Sequence, residues 1–339
     1  VTLPDGTQDT ITAPLFVLAA GGRAVVPDGP GLADVGFHTS DTIMRLDSLP
    51  RRMTILGSGF IAAEFAHVFS SFGVEVTVVA RSGALLRSED DDISARFTAL
   101  ASGKWDVRLD RKTVRAEREG DVIRLHLEGP EGAEVVESDV LLVAVGRTPN
   151  SDLMDAATGG IATAPTGHVV VDEFQRTSVE GVYALGDISS PYELKHVANH
   201  EARIVQHNLL HPTEQQPADH RFVPHAVFTS PQIASVGLTE RELKASGQRH
   251  VTAIQDYAGI AYGWAMEDTT GFVKLLADPA SGQLLGAHII GPQAPTVIQP
   301  LIQAMSFGLD ARQMARGQYW IHPGMPEVVE NALLNLDLD

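Results

Sequence analysis

Residues 54–81 read TILGSGFIAAEFAHVFSSFGVEVTVVAR. The apolar run 53–56 ends at Gly57, and Gly57-Ser58-Gly59-Phe60-Ile61-Ala62 fits G-x-G-x-x-G/A. Phe60, Ala63, Phe65, Val68, Phe69 and Phe72 then recur at helical spacing until Gly73, and the β-branched run 74–79 reads as a second strand. Strand, glycine turn, helix and strand together predict a dinucleotide-binding βαβ unit. Gly57 permits the tight turn, Gly59 lets the backbone approach a pyrophosphate, and small Ala62 lets helix and strand pack closely. The helix start offers free N–H groups and a partial positive charge to the phosphates.

The end of the second strand selects the nucleotide. An acidic residue there binds a ribose 2′-hydroxyl. This chain instead has Ala80-Arg81, with Arg87 six residues on. Two guanidiniums and no acid suit a 2′-phosphate, which arginine grips as a fork. The expected nucleotide is therefore NADPH.

Working outward, the 339 residues suggest two or three domains. Apolar content of 44% and charged content of 20% are ordinary for a folded chain in water. No apolar run approaches the roughly 20 residues of a membrane span, and the start carries no secretory pattern. A net charge of −18 argues against nucleic acid, whose phosphates need a basic surface. A cytoplasmic protein is expected. With no cysteine, the chain itself carries no disulfide, thiolate metal site or thiol chemistry.

Before the βαβ unit, residues 1–3 and 10–12 read as short strands about a turn at Pro4-Asp5-Gly6. Residues 15–20 read as a buried strand broken by Gly21-Gly22, and Ser40-Asp41-Thr42 as the cap of a short helix. After it, the acidic run 89–92 reads as a solvated helix start, where acids favour the dipole. Residues 105–146 read as an antiparallel meander ending in an apolar strand at 140–145, followed by Gly146-Arg147-Thr148-Pro149-Asn150. Strands at 169–172 and 182–185, the pair Gly186-Asp187 and a helix at 195–210 follow. From about 221 the pattern becomes α+β. Strands are expected at 226–229, 233–236, 250–254, 271–277 and 284–290. Helices are expected at 239–245 (with Thr239 and Glu242 as a capping box), 294–307, 311–316 and 326–335.

With these pieces placed, the chain resembles the flavoprotein disulfide reductases of the pyridine nucleotide-disulfide oxidoreductase family. Leu18-Ala19-Ala20-Gly21-Gly22-Arg23 with Pro27 stands where that family has A-T-G-x-x-P, and Val145 to Asn150 looks like its G-R-x-P-N loop. Thr177 with Val182 to Asp187 looks like its second FAD motif, and Val227 to Pro231 with Val236 to Glu240 opens its dimer domain. His322-Pro323 with Glu327 resembles its C-terminal catalytic pair. His38 to Thr42, Leu194 to Asn199 and Gln318 to Pro323 point to the branch that reduces mycothiol disulfide; other branches, acting on dihydrolipoamide or on mercuric ions, are the alternatives.

The resemblance implies an α/β fold: a Rossmann-like NADPH domain inserted in the remaining part of an FAD domain, followed by an α+β dimerisation domain. The boundaries it implies are 1–45 partial FAD domain, 46–147 NADPH-binding domain, 148–220 remainder of the FAD domain, and 221–339 dimer-interface domain. It implies an NADPH-dependent reductase of a low-molecular-weight thiol disulfide, serving redox homeostasis as a homodimer. Hydride would pass from NADPH to FAD, then electrons to a protein disulfide and on to the substrate. Gly57, Gly59, Phe60, Ile61, Ala62, Glu64, Arg81, Arg87, Gly146 and Arg147 would meet NADPH. Ala20, Gly21, Arg147, Asp187 and Lys195 would meet FAD. His322 would move the proton in thiol–disulfide exchange, oriented by Glu327, and would act on the other subunit's disulfide. The family's first glycine fingerprint, its C-x-x-x-x-C pair and a nearby lysine do not occur here. The chain is thus expected to be an N-terminally shortened member, a catalytically incomplete fragment on its own, that holds FAD poorly. His196/His200 and His207/His211 lie four apart on a helix but lack a third ligand, so no metal is expected.

Overall fold

The glycine turn at Gly57 joins a strand at Arg52–Leu56 to a helix at Phe60–Ser71, as the sequence predicts. The computed structural model describes residues 2–339; Val1, part of the expected first strand, lies outside them. In chain order the elements begin with β1 (Phe16–Leu18), β2 (Gly22–Ala24), β3 (Arg52–Leu56), α1 (Phe60–Ser71), β4 (Glu75–Val79), α2 (Asp91–Ser102) and β5 (Asp106–Arg108). Next come β6 (Lys112–Glu119), β7 (Val122–Gly129), β8 (Gly132–Ser138), β9 (Val140–Val143), β10 (Arg147–Pro149), β11 (Val182–Ala184) and α3 (Lys195–Leu210). The last part holds β12 (His225–Val227), β13 (Gln232–Gly237), α4 (Glu240–Ser246), β14 (Val251–Asp256), α5 (Ala261–Ala265), β15 (Phe272–Ala277) and β16 (Leu284–Gly291). It closes with α6 (Ala294–Val297), α7 (Gln299–Phe307), α8 (Ala311–Arg316) and α9 (Glu327–Leu334). The chain divides into two compact units, one of residues 1–23 and 147–220, the other of residues 24–146 and 221–339.

The larger unit contains two main sheets and a three-stranded antiparallel layer. In the first, β5, β4, β3 and β9 lie side by side, all parallel. Strand alternation assigns its faces. Met53, Ile55, Val76, Val78 and Leu142 pack on the small-residue face of α1 (Ala62, Ala63, Ala66) and on Phe97 of α2. Leu56, Val79, Leu141 and Val143 face the opposite way, onto Ile123, Leu125 and Leu127 of the antiparallel β6-β7-β8 layer. Both faces are covered, as parallel sheets require. The expected meander is therefore only three strands, because 106–108 and 140–143, at its two ends, belong to the parallel sheet.

The second sheet has the order β12-β13-β16-β15-β14, antiparallel throughout. Its inner side, with Ala234, Val273, Leu275, Ala287 and Ile289, packs against Leu301, Ala304, Met314, Val328 and Val329 from the terminal helices. Thr239 and Glu242 form the expected capping box on α4. The helix expected over 294–307 is two helices, with prolines in the first turn of each (Pro295 and Pro300). Val227, Ile233, Phe272 and Ile290 share a core with α1 and α2, so the nucleotide-type layer and the second sheet are joined by apolar packing.

In the smaller unit β1 pairs in parallel with β11, and β10 lies beside β2. The expected strand at 10–12 is absent, leaving a single bridge between Thr2 and Gln8, and 169–172 contributes only a bridge from Val169 to Thr163. Residues 15–20 are not buried as expected. Phe16 and Val17 remain 42% and 44% exposed, since a sheet of two strands has no second layer over that face. The helix α3 occupies the span expected for it.

Candidate nucleotide site and acid–base pair

The site in the larger unit starts from Gly57. Its φ is +138°, and a Cβ there would stand 2.1 Å from the carbonyl oxygen of Ala144, so only glycine fits. At Gly59 a Cβ would meet nothing within 4 Å; open space stands where a phosphate would approach. No side chain caps α1, whose first N–H groups remain available to an anion. Ala62 is buried on the sheet, whereas Phe60 is 41% exposed and Ile61 half-buried at the helix start. Arg81 and Arg87 are exposed, and neither guanidinium has a hydrogen-bond or ion-pair partner among the described residues. Gly146, at φ +142°, closes this unit's crossover and accepts the Val25 N–H through its carbonyl at 2.9 Å. The residues present fit a phosphorylated dinucleotide.

Glu64 sits one turn into α1. Its Oε1 accepts the backbone N–H of Phe228 at 2.9 Å. Burial pushes its carboxyl above the ordinary carboxylate range, against the opposing pull of that amide. A half-buried carboxyl of raised proton affinity beside the exposed Phe60 is an unusual feature for a helix surface.

His322 and Glu327 are brought together in the same unit. Glu327 opens α9, whose Val328, Val329, Ala332 and Leu333 are buried and so fix the helix. Its Oε1 lies 2.6 Å from His322 Nδ1, and its Oε2 accepts the Gly324 N–H at 3.0 Å. Burial disfavours the charged carboxylate, but the His322 hydrogen bond and the Gly324 amide outweigh it and hold Glu327 below its usual range. A carboxylate on Nδ1 makes that nitrogen the donor, leaving Nε2 as the working atom. The side chain of His322 is 69% exposed, and it stands beside Tyr319 and Ile321, which are 103% and 78% exposed.

The smaller unit holds the remaining predicted residues. Gly21 has φ +66°, its carbonyl accepts the Asn150 N–H at 3.0 Å, and that of Ala20 accepts Asn150 Nδ2 at 2.9 Å. Arg147 Nη2 donates to the Gly22 carbonyl at 2.7 Å, so this loop and the 18–23 loop are tied together. Asp187 is half-buried beside Gly186, whose N–H donates to the buried Glu201 at 2.7 Å. Lys195 is the first residue of α3, exposed, at a helix start with no side-chain cap. Sequence reasoning missed Glu193 here. Burial raises its carboxyl above the usual range, offset in part by the charge of Arg147. The uncapped α3 and the Asp187 turn fit the redox end of a flavin nucleotide, while a glycine fingerprint for its adenosine half does not occur in the chain. The histidines of α3 are used locally. His200 Nε2 accepts the Asp219 N–H at 3.3 Å, His207 Nε2 lies 2.8 Å from the Glu214 carbonyl, and His207 stacks on His211. No group of three or more metal-ligating side chains occurs among the described residues.

The expected solvated helix start is found at Asp91 and Asp92, the exposed first turn of α2, but is overturned for the two residues before them. Glu89 and Asp90 are 3% and 0% exposed. Glu89 binds His225 and Ser235, each at 2.7 Å. Asp90 caps α2 and, with Asp92 and Glu240, surrounds Lys274 Nζ at 2.7, 2.6 and 2.8 Å. Lys274 stands in a strand buried along its whole length. That lone lysine in an apolar run was the available signal, because a buried ammonium demands carboxylate partners from elsewhere.

Residues 1–202 match the pyridine nucleotide-disulphide oxidoreductase family, and residues 223–333 match the dimerisation domain of the same family. The chain belongs to the pyridine nucleotide-disulphide oxidoreductases. Among its relatives, mycothione reductase of Mycobacterium tuberculosis is 57% identical over 332 residues, 97% of this chain and 72% of that protein. Mercuric reductase of Staphylococcus aureus is 32% identical over 97% of this chain and 60% of its own length. The Cu(II) complex of the HOCl-induced flavoprotein disulfide reductase RclA from Escherichia coli superposes with a TM-score of 0.89 at 28% identity, over 98% of this chain and 75% of that one. LpdA from Mycobacterium tuberculosis gives a TM-score of 0.86 at 25% identity, over 98% and 72%. This oxidoreductase fold is thus the one expected: an α/β nucleotide layer followed by the family's dimerisation domain. Among the described residues no helix is long and apolar enough to cross a membrane.

Proposed function

We propose that this chain provides the NADPH site, part of the FAD site and the acid–base pair of a mycothione-reductase-type disulfide reductase working as a cytoplasmic homodimer. The observation that carries the proposal is the His322–Glu327 pair at 2.6 Å, with Nε2 free, in the same unit as an uncapped glycine-turn helix. The 57% identity to a mycothione reductase supports the substrate. The proposed domains are 1–45 and 148–220 for FAD, 46–147 for NADPH and 221–339 for dimerisation.

In this reading the N–H groups at the start of α1 hold the pyrophosphate, and Arg81 with Arg87 grips the 2′-phosphate. Phe60, Ile61 and Glu64 border the nicotinamide end, and Gly146-Arg147 forms the adjoining loop. Asp187, Ala20, Gly21 and Lys195 would hold the flavin nucleotide, which supplies a two-electron relay between nicotinamide and disulfide. Glu327 keeps the Nδ1 proton of His322 in place, so Nε2 takes a proton from an attacking thiol and returns it to the leaving thiolate. Since the chain has no cysteine, the thiol pair comes from outside these residues. Exposed Tyr319 and Ile321 flank His322 as an interface would, supporting a site completed by a second copy.

The test is NADPH oxidation by the flavin-loaded enzyme that carries its thiol pair, with mycothiol disulfide, lipoamide, glutathione disulfide and Hg(II) as competing acceptors. Preference for mycothiol disulfide is expected. Equal or better turnover with another acceptor removes the substrate assignment.

A further inference from the structure

Arg87 lies in a loop gripped from two directions. On its N-terminal side, the Leu86 N–H donates to the Ser58 carbonyl of the glycine turn at 2.7 Å, and Leu85 N–H donates to Thr98 Oγ1 at 3.0 Å. These ties come from the nucleotide layer itself. On its C-terminal side the ties come from the dimerisation domain. Glu89 is bound by His225 and Ser235, and Asp90 by Lys274 and by the Glu240 N–H at 3.0 Å. Between them, Arg241 Nη2 donates to the carbonyl of Arg87 itself at 3.2 Å, while its Nη1 pairs with Asp91.

A long exposed side chain is aimed by its backbone. The carbonyl of Arg87 accepts from a guanidinium that Asp91 also holds, so the peptide plane from which the Arg87 side chain departs is biased toward one orientation. We propose that Arg241 is a positioning residue for Arg87, so that selectivity for a 2′-phosphorylated nucleotide is set in part by the dimerisation domain. This rests on the reading that Arg81 and Arg87 bind the 2′-phosphate. Ordering Arg87 before the nucleotide arrives removes a conformational cost of binding, and only a ligand that reaches Arg87 benefits.

The experiment titrates the purified chain with NADPH and with NADH, in wild type, Arg87→Ala, Arg241→Ala, Asp91→Ala and the Arg87→Ala/Arg241→Ala double variant. Arg241→Ala is expected to weaken NADPH by about five- to tenfold, within the range of coupled neighbours, and to leave NADH unchanged. Asp91→Ala, which frees Arg241, should move NADPH the same way by less. In the Arg87→Ala background the Arg241 substitution should have no further effect, a coupling that a general structural role or a direct field on the phosphate would not produce. The proposal is overturned if Arg87→Ala collapses the NADPH preference while Arg241→Ala leaves it intact, or if the two losses add. If Arg87→Ala itself leaves the preference unmoved, the 2′-phosphate reading falls and the proposal with it. NADH affinity equal to wild type certifies that each variant is folded.

Discussion

Replacing Lys274 with methionine tests the buried charge cluster that joins the nucleotide layer to the dimerisation domain. Methionine matches the stem of lysine but removes the ammonium. The Lys274 side chain is 1% exposed, and its ammonium is met by Asp90, Asp92 and Glu240. Asp92 is 52% exposed and can return to water. Asp90 cannot: it is fully buried, though it keeps the Asp92 and Glu240 amides. Glu240, 23% exposed, keeps Lys244. The dominant loss is therefore one buried carboxylate stripped of its counter-charge, about 3–5 kcal/mol. At roughly 2 °C per kcal/mol in a chain of this size, the thermal midpoint should fall by about 6–10 °C.

The pH dependence has a definite sign. Hydrogen bonds from Lys244 and Lys274 lower Glu240 from 4.5 to about 2. Burial opposes ionisation of Asp90, but the Lys274 hydrogen bond, the Glu240 amide and the nearby positive charges together outweigh it and hold that group low as well. Groups with depressed folded values stabilise fully above their unfolded values and lose this as pH falls through the folded ones. The gap between wild type and Lys274→Met should be widest near neutrality and close between about pH 4.5 and 2. Thermal unfolding followed by circular dichroism across this range is the assay. A midpoint change under about 2 °C at pH 7, or a gap that widens in acid, refutes the reasoning.

Other expectations follow the same structure. Arg81→Ala and Arg87→Ala should each weaken NADPH by about ten- to a hundredfold, the worth of a charge-assisted contact, with NADH unaffected; calorimetric titration reads both. Gly57→Ala, which places a methyl carbon 2.1 Å from the Ala144 carbonyl, should abolish nucleotide binding and lower the thermal midpoint. Glu327→Gln should lower disulfide turnover by about a hundredfold or more while leaving NADPH affinity intact, the usual scale for general acid–base groups. Tyr319→Asp with Ile321→Asp should shift sedimentation toward the monomer, and a dimer of unchanged affinity would exclude this surface as the interface.

Much of this was legible in the chain. The period switch at Gly57, the capping box at Thr239 and the helix over 195–210 are local signals, and local signals survive folding. His322 and Glu327 are five apart, so one loop decides their meeting. Less legible were features made by distant partners. Glu89 and Asp90 look like a solvated helix start until β12, β13 and β15 bring His225, Ser235 and Lys274 against them. Glu64 gives no sign that its partner is the Phe228 amide, 164 residues away. The strand at 15–20 reads as buried because its residues are apolar, yet burial needs a covering layer that sequence periodicity does not specify.

The proposed disulfide reduction begins with NADPH bound through its 2′-phosphate. Titrating the purified chain with NADPH and NADH side by side tests its first step directly. Binding of NADPH at least about tenfold tighter, lost when Arg81 and Arg87 are both alanine, is the predicted result. Equal affinities, or a preference for NADH, would contradict it.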